Sequence, residues 1–312
     1  MKLDVHHHVA PDFWLSLSGG TADEGRAFRG WTPARAVEEM DRDGVATAYA
    51  SLAIPGHRFD DPAVARRLAR QCNEYMVQLR AEYPGRFGVM ALLPMPDLDG
   101  ALTEIAYAYD QLHVDGIGLY TSYGEDWLGN PRFNPVFEEL NRRSAVVFTH
   151  PTTNAACTHK QDWLGPSAIE YATDTSRAIA EYIFRGASRR YPNVRIIFSH
   201  AGGTMPYLLQ RFINRGAGAF KEDTPDGFLA EAHKLYYDTA QVPSRGTMLA
   251  LRAAVPDANI LFGSDYPYRT CGWTAEMLES GEAFDTAGLQ AVFHDNAARL
   301  FAAGLPLQRG TR

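Results

Sequence analysis

The sequence contains few cysteines, and none of them form a closely spaced pair. Three occur in 312 residues, Cys72, Cys157 and Cys271, and no CxxC motif is present. An odd number at wide spacing argues against a disulfide framework and predicts a reducing compartment. Without a CxxC pair, a zinc site built on thiolates is not expected either.

Long hydrophobic runs and blocks of positive charge are absent as well. No run of 18 apolar residues occurs and the first residues lack the apolar segment of a secretory signal, so neither a transmembrane helix nor secretion is expected. The formal net charge is −7 without a basic cluster, which gives nucleic acid or an anionic membrane no electrostatic attraction. The sequence therefore predicts a cytoplasmic protein that binds neither of these partners.

The composition that remains is typical of a large globular protein. Apolar residues make up 46% and charged residues 21% of the chain, proportions that allow a sizeable core. A length of 312 residues suits an α/β barrel. Because no linker divides the sequence, we expect one domain spanning residues 1–312.

Short apolar runs alternate with longer helical stretches eight times along the chain. Runs of this kind suit strands that are buried on both faces of a parallel sheet. Eight strand–helix units predict a (β/α)8 TIM barrel, and the lack of a GxGxxG motif after any strand disfavours an open doubly wound sheet. The predicted strands are residues 3–6, 46–53, 87–93, 116–120, 145–150, 194–200, 235–239 and 260–263. The predicted helices are residues 36–42, 62–83, 98–112, 134–143, 175–191, 205–215, 245–254 and 286–302.

Histidine and aspartate residues lie where the predicted strands end. His6 and His8 end the first strand, His150 the fifth and His200 the sixth, while Asp265 follows the eighth. In a barrel these ends meet at one mouth, where the active site is built. Each residue alone has an ordinary explanation, such as a satisfied core histidine or a helix cap. Together, three of these four imidazoles and the carboxylate predict a catalytic site for Zn²⁺, Mn²⁺ or Fe²⁺ with one position open to water or substrate.

Aromatic and basic side chains near the predicted mouth are candidates for substrate binding. Trp14 follows the first strand and Tyr120 ends the fourth, positions from which an aromatic ring would line a flat apolar pocket. Arg26 and Arg58 follow the first and second strands and are candidates to bind a carboxylate. The alternatives are loop packing for the aromatic rings and solvated surface positions for the arginines.

Several motifs together resemble the amidohydrolase superfamily, specifically its decarboxylase branch, which includes 2-amino-3-carboxymuconate 6-semialdehyde decarboxylase and γ-resorcylate decarboxylase. Residues 294–300 are similar to the closing helix of that branch, and residues 129–148 resemble 6-methylsalicylate decarboxylases. The resemblance covers nearly the whole chain. The motifs are Asp4-x-His6-x-His8, Thr149-His150-Pro151, Phe198-Ser199-His200-Ala201-Gly202-Gly203 and Gly263-Ser264-Asp265-Tyr266-Pro267.

The resemblance implies roles for individual residues and for a metal ion. It implies one divalent ion, for which Zn²⁺ is the first choice and Mn²⁺ the second. It also implies that His200 is the catalytic histidine beside this ion. No lysine ends the fifth strand, so a mononuclear site is implied. Arg211 matches an arginine that in this branch enters the neighbouring subunit's site and binds a substrate carboxylate, which implies a homodimer or higher homo-oligomer. The implied ligands are His6, His8, His150 and Asp265.

The expected function is non-oxidative decarboxylation of an ortho-hydroxy aromatic acid such as 6-methylsalicylate, which releases CO₂ and a phenol. The ring carbon must first be protonated, and Asp265 and His200 are both candidates for the proton donor. The same scaffold also suits a hydrolase or hydratase in which metal-activated water attacks a lactone or an unsaturated acid. A catalytically silent metal-binding barrel is the third hypothesis, which an acid–base pair beside the ligands disfavours.

Overall fold

The computed structural model describes residues 1–14, 27–52, 61–157 and 163–302. Eight parallel strands pair in consecutive order around a barrel. In chain order they are β1 (Lys2–His8), β2 (Val45–Ser51), β3 (Phe87–Leu92), β4 (Gly116–Tyr120), β5 (Val146–His150), β6 (Arg195–Phe198), β7 (Tyr236–Asp238) and β8 (Ile260–Leu261).

Backbone hydrogen bonds close the barrel between its last and first strands. Val5 N–H donates to the carbonyl of Phe262 at 3.0 Å, and Asp265 N–H donates to that of His6 at 2.9 Å. Closure therefore brings the segment after β8 directly beside the histidines of β1. The predicted (β/α)8 barrel is confirmed, and each predicted strand overlaps an observed one.

Helices cover the outside of the barrel. The segment 122–127 adds a small antiparallel ribbon, Ser122–Tyr123 with Asp126–Trp127. The helices are α1 (Pro33–Asp43), α2 (Pro62–Glu82), α3 (Leu98–Asp110), α4 (Asn134–Arg142), α5 (Glu170–Phe184), α6 (Ala187–Arg190), α7 (Met205–Ala217), α8 (Phe228–Ala232), α9 (Arg245–Ala254), α10 (Cys271–Ser280), α11 (Thr286–Gln290) and α12 (Asn296–Ala302).

Side-chain caps and left-handed residues set several helix ends. The hydroxyl of Thr32 accepts from Arg35 N–H at 3.2 Å, with Pro33 in the first turn and left-handed Gly44 after the last. The predicted helix 175–191 is instead two helices, α5 and α6, because Gly186 between them is left-handed with φ 71°. The predicted helix 286–302 contains a π-helical turn at Ala291–Asp295 between α11 and α12.

The amino-terminal end of the barrel is plugged by the last helix. Met90, Phe148 and Leu261 fill the interior and belong to one buried cluster with Leu300 of α12. The ring of Phe301 stacks on Tyr49 with centroids 3.6 Å apart. Because the described residues fill this end, a ligand would enter from the opposite end, where the strand carboxyl ends lie. Among the described residues, no helix combines the length and apolar character needed to cross a membrane.

Candidate active site and metal centre

Four imidazoles and one carboxylate meet at the carboxyl ends of the strands. Oδ1 of Asp265 lies 3.0 Å from Nε2 of His6, 3.0 Å from Nε2 of His8 and 4.0 Å from Nε2 of His150. Oδ2 of Asp265 faces Nε2 of His200 at 3.5 Å. The structure thus brings together all five residues predicted for the metal and the catalytic pair.

The imidazoles of β1 and β5 are oriented through their second nitrogen. Nδ1 of His6 donates to Oδ2 of Asp238 at 2.8 Å, and Nδ1 of His150 donates to the carbonyl of Pro151 at 2.9 Å. Nδ1 of His8 lies 3.0 Å from the hydroxyl of Ser51. With the proton on Nδ1, each ring directs the lone pair of Nε2 into the site, which is the orientation of a metal-binding histidine.

Asp238 connects two halves of the site. Besides holding His6, its Oδ1 accepts the backbone N–H of His200 at 2.8 Å and that of Ala240 at 3.0 Å. The carboxylate is fully buried at the end of β7. One buried side chain therefore positions a histidine of β1 and a histidine that follows β6.

The backbone around the site adopts conformations that non-glycine residues rarely take. His200, Ala201, Gln241 and Asp265 have φ of 54°, 56°, 62° and 64°. A left-handed conformation at such a residue costs about 1–3 kcal/mol and persists only where surrounding contacts enforce it. Their concentration after β6, β7 and β8 marks this mouth as the functional face.

A second buried cluster fixes the segment that carries Asp265. Both oxygens of Asp4 accept from Ser264, one from the backbone N–H at 3.0 Å and the other from the hydroxyl at 2.5 Å. Asp4 also accepts from His6 N–H at 3.1 Å. Gly263 is needed at this junction, because an added Cβ would lie 2.9 Å from Cβ of both His6 and Asp238.

The electrostatics of the site favour one bound positive charge. Burial alone would lower the pKa of His6, but the carboxylates of Asp238 and Asp265 outweigh it and raise that pKa to about 10. Burial lowers the pKa of His8 and, together with the neighbouring imidazoles, lowers that of His150 well below its usual range. Burial opposes ionisation of Asp265, yet the charge on His6 and hydrogen bonds from the imidazoles hold its pKa well below the usual range. His8 and His150 are therefore neutral beside an ionised carboxylate, which are the protonation states that bind a metal, whereas His6 would release its proton when a metal ion binds.

The donor atoms fit a divalent ion. The donor atoms of His6, His150, His200 and Asp265 all lie within 4.8 Å of one another, and Nε2 of His6 and His8 are 3.1 Å apart. Ligand atoms that lie about 2.0–2.2 Å from one ion are separated from each other by roughly 3–4 Å. Within the described part of the chain, buried Nε2 of His200 has no hydrogen-bond partner, as expected of a group that faces a ligand.

The predicted substrate-binding residues have different outcomes. Tyr120 is buried at the end of β4, with its ring 6.5 Å from that of His150. Trp14 is buried in the main hydrophobic cluster, which is separate from the cluster that fills the barrel interior. Arg211 is exposed on α7. Arg26 and Arg58 lie outside the described residues.

Three contacts of the site are absent from the sequence-based prediction. They involve Asp238, Ser51 and Gln241, whose Nε2 donates to Oδ2 of Asp265 at 2.7 Å. Asp238 and Ser51 both end a strand, so the signal that identified His150 was available for them. Gln241 lies in a loop, where no local pattern marks it.

Comparisons with known proteins agree with this geometry. The decarboxylase macB of Penicillium terrestre is 38% identical over 319 residues, covering 96% of this chain and 94% of that protein. The 6-methylsalicylic acid decarboxylase acuB of Aspergillus aculeatus is 35% identical over 293 residues, covering 86% of this chain and 84% of that protein. A crystal structure of a dihydroxybenzoic acid decarboxylase from a Polaromonas species, with bound manganese and 2-nitroresorcinol, has the same fold, with a TM-score of 0.85, 22% identity and 98% coverage of each chain.

The family profile extends these pairwise similarities to the whole barrel. The amidohydrolase profile matches residues 3–303, a range that contains β1 from its second residue, the other seven strands and every histidine and aspartate of the site. This chain therefore belongs to the amidohydrolase family.

Proposed function

We propose that this protein is a carboxy-lyase, a metal-dependent decarboxylase of an ortho-hydroxy aromatic acid such as 6-methylsalicylate. The observation that carries the proposal is the orientation of Asp265. One oxygen of its carboxylate faces three imidazoles, while the other faces His200 and Gln241. A single group of this kind serves both a metal ion and a proton transfer.

The ligand set proposed for the metal ion is His6, His8, His150 and Asp265. These three histidines share Oδ1 of Asp265, whereas His200 lies by Oδ2. Zn²⁺ and Mn²⁺ both accept such a donor set. When bound there, the ion would act as a Lewis acid and as a template for the carboxylate and neighbouring phenol oxygen of the substrate.

The proton transfer is assigned to side chains of this chain. In the reaction a C–H bond forms at the ring carbon that carries the carboxylate. The C–C bond then breaks, its electron pair returns to the ring, and CO₂ leaves. Because Asp265 is ionised in the resting site, the proton must arrive from solvent. We assign His200 to pass it to Oδ2 of Asp265 across their 3.5 Å separation, and Asp265 to deliver it to the ring carbon.

The named relatives support this chemistry over the hydrolase alternative. Both curated relatives described above are called decarboxylases, and one acts on 6-methylsalicylic acid. The hydrophobic residues that surround the mouth, including buried Tyr120, are consistent with a site that excludes water.

We further propose that the protein works as a homodimer in which Arg211 binds the substrate carboxylate of the neighbouring subunit. Of the 13 residues of α7, only Met205 and Gly216 are buried, and Tyr207 on the same helix is 74% exposed. Arg211 forms no hydrogen bond or ion pair with the described residues. A second copy covering α7 would bury Tyr207 and the other partly exposed apolar side chains of this helix, and it would give Arg211 a partner.

The experiment that tests the decarboxylase assignment is a product assay. Protein reconstituted with Zn²⁺ or Mn²⁺ is incubated with 6-methylsalicylate, and CO₂ and 3-methylphenol are quantified with and without a chelator. Stoichiometric release that the chelator abolishes is expected. If no 2-hydroxybenzoate releases CO₂ while a lactone is hydrolysed or an unsaturated acid is hydrated, the decarboxylase assignment is overturned and the metal site stands.

A further inference from the structure

Beside His150, the mouth of the barrel contains a small recess between β2 and β5. Its walls are mainly apolar and include Leu52, Met90, Leu92 and Phe148. The recess has room for about one water-sized group. It is therefore too small for an aromatic ring but large enough for one substituent on a ring.

The recess exists because β4 carries a glycine at this level. A Cβ added to Gly118 would lie 3.5 Å from the carbonyl oxygen of Met90 and 3.8 Å from that of Ala91, which are ordinary van der Waals distances. The backbone of Gly118 is not left-handed. A methyl side chain is thus accommodated without strain, and it would occupy space that the glycine leaves open.

Two polar side chains that line this recess, Ser51 and His150, already have partners. The hydroxyl of Ser51 lies 3.0 Å from Nδ1 of His8, and His150 directs its two nitrogens toward Pro151 and Asp265. The backbone groups of β3 and β4 form the hydrogen bonds that pair these two strands. A hydroxyl group placed here would lose its hydrogen bonds to water, whereas a methyl group would lose nothing.

We propose that the recess above Gly118 binds one small apolar substituent of the substrate ring, a methyl group, and thereby makes the site prefer methylated over hydroxylated 2-hydroxybenzoates. This inference rests on the proposed function, because it assumes that the ring lies beside His150. It adds a selectivity that metal chelation does not supply, since both classes of acid carry the same carboxylate and phenol.

The expected difference in affinity between methylated and hydroxylated acids follows from how strongly apolar pockets distinguish small substituents. One methyl group in a fitted apolar pocket is worth about 10-fold or more in affinity. A site that leaves a buried hydroxyl without a partner disfavours it by about 10-fold as well. We therefore expect 6-methylsalicylate, or one of its ring isomers, to bind about 10-fold more tightly than salicylate or 2,6-dihydroxybenzoate.

The test measures binding and turnover separately on the same Mn²⁺-loaded protein. Dissociation constants are determined by calorimetry for salicylate, the four ring isomers of methylsalicylate and 2,6-dihydroxybenzoate, and CO₂ release is followed in parallel. The Gly118→Ala variant fills the recess. The matched control is Gly246→Ala on α9, where an added Cβ meets nothing within 4 Å.

The proposal predicts that one methyl isomer binds best and that Gly118→Ala removes about 10-fold of its affinity. In Gly118→Ala the affinity for salicylate should stay within about 2-fold of the wild-type value. In Gly246→Ala neither the affinity for salicylate nor that for the methyl isomer should change. Equal affinity for all six acids, or a uniform loss in Gly118→Ala, would overturn the recess assignment even if CO₂ is released. The selective pattern without CO₂ release would support the recess and overturn the decarboxylase assignment.

Discussion

The side-chain amide of Gln241 donates a 2.7 Å hydrogen bond from Nε2 to Oδ2 of Asp265. The other oxygen, Oδ1, lies 3.0 Å from Nε2 of both His6 and His8. Gln241 thus fixes the rotation of the carboxylate, with one oxygen toward the imidazoles and the other toward His200. Removing the amide and removing the carboxylate should therefore have different consequences.

For Gln241→Ala we expect kcat to fall by about 10-fold or more, because a hydrogen bond to a charged group is lost. Affinity for Mn²⁺ should stay within about 3-fold, since the amide contacts only the oxygen that faces away from His6 and His8. Steady-state kinetics and metal titration on one preparation measure both. Parallel losses in kcat and metal affinity would instead show that Gln241 supports the site as a whole.

For Asp265→Asn we expect loss of turnover by about 1,000-fold or more, because the amide cannot deliver a proton and is a poorer metal ligand. Circular dichroism should show an unchanged fold. Asp257→Asn is the matched control, since its carboxylate pairs with Arg252 at the surface. Near-normal activity of Asp265→Asn would remove this residue from the mechanism.

For Asp238→Asn we expect metal affinity to fall by about 10–100-fold, the usual consequence of losing a carboxylate that orients a metal-binding histidine. The amide group would present N–H groups to Nδ1–H of His6 or to the backbone N–H of His200, both of which donate to Asp238. Competition with a chromogenic chelator measures the change. An unchanged Mn²⁺ affinity would show that His6 is oriented without this carboxylate.

For Arg211→Ala we expect KM for the carboxylate substrate to rise by about 10-fold or more with a smaller change in kcat, as the loss of a charged contact to bound substrate implies. Arg67→Ala, at an exposed position of α2, should leave both constants unchanged. Mixing Arg211→Ala with Asp265→Asn subunits tests whether the arginine acts across an interface. Random pairing makes half of the dimers mixed, each with one complete site, so about a quarter of the wild-type sites should recover. No recovery would place Arg211 in its own subunit's site or outside catalysis.

Thiol labelling tests the packing around the barrel. Burial raises the pKa of the Cys72 thiol to about 12 and that of the Cys271 thiol well above its usual range. The thiolate is the reactive form. Raising the pH from 7 to 9 should therefore not make either of these cysteines react with a thiol reagent. Cys157 is only half-buried. We expect one fast thiol in the native protein, absent from Cys157→Ser, and three after unfolding.

Much of the architecture could be predicted because parallel barrel strands have a strong local signature. For example, the continuous apolar run of residues 145–150 predicts a strand whose bounds agree within one residue with the observed β5, Val146–His150. Helix α10 was not predicted, because its buried residues at helical spacing, Cys271, Thr274, Ala275 and Leu278, include only one large apolar side chain. The division of residues 175–191 depends on the conformation of Gly186, which composition alone does not reveal.

The sequence by itself determined where the chemistry lies. Local periodicity gives the strand that ends at His150, the two-residue spacing of His6 and His8, and the position of Asp265 after the last strand. Because the carboxyl ends of barrel strands lie at one end of the barrel, these residues are expected at the same mouth.

Only the tertiary structure decided how these groups are oriented and what surrounds them. Asp238 meets His6 across 232 positions of sequence, Gln241 selects one oxygen of Asp265, and Gly118 opens a recess beside His150. These contacts depend on barrel closure and on the register between strands. Local spacing fixes the direction of a side chain along its own strand, but it carries no information about which distant side chain will face it.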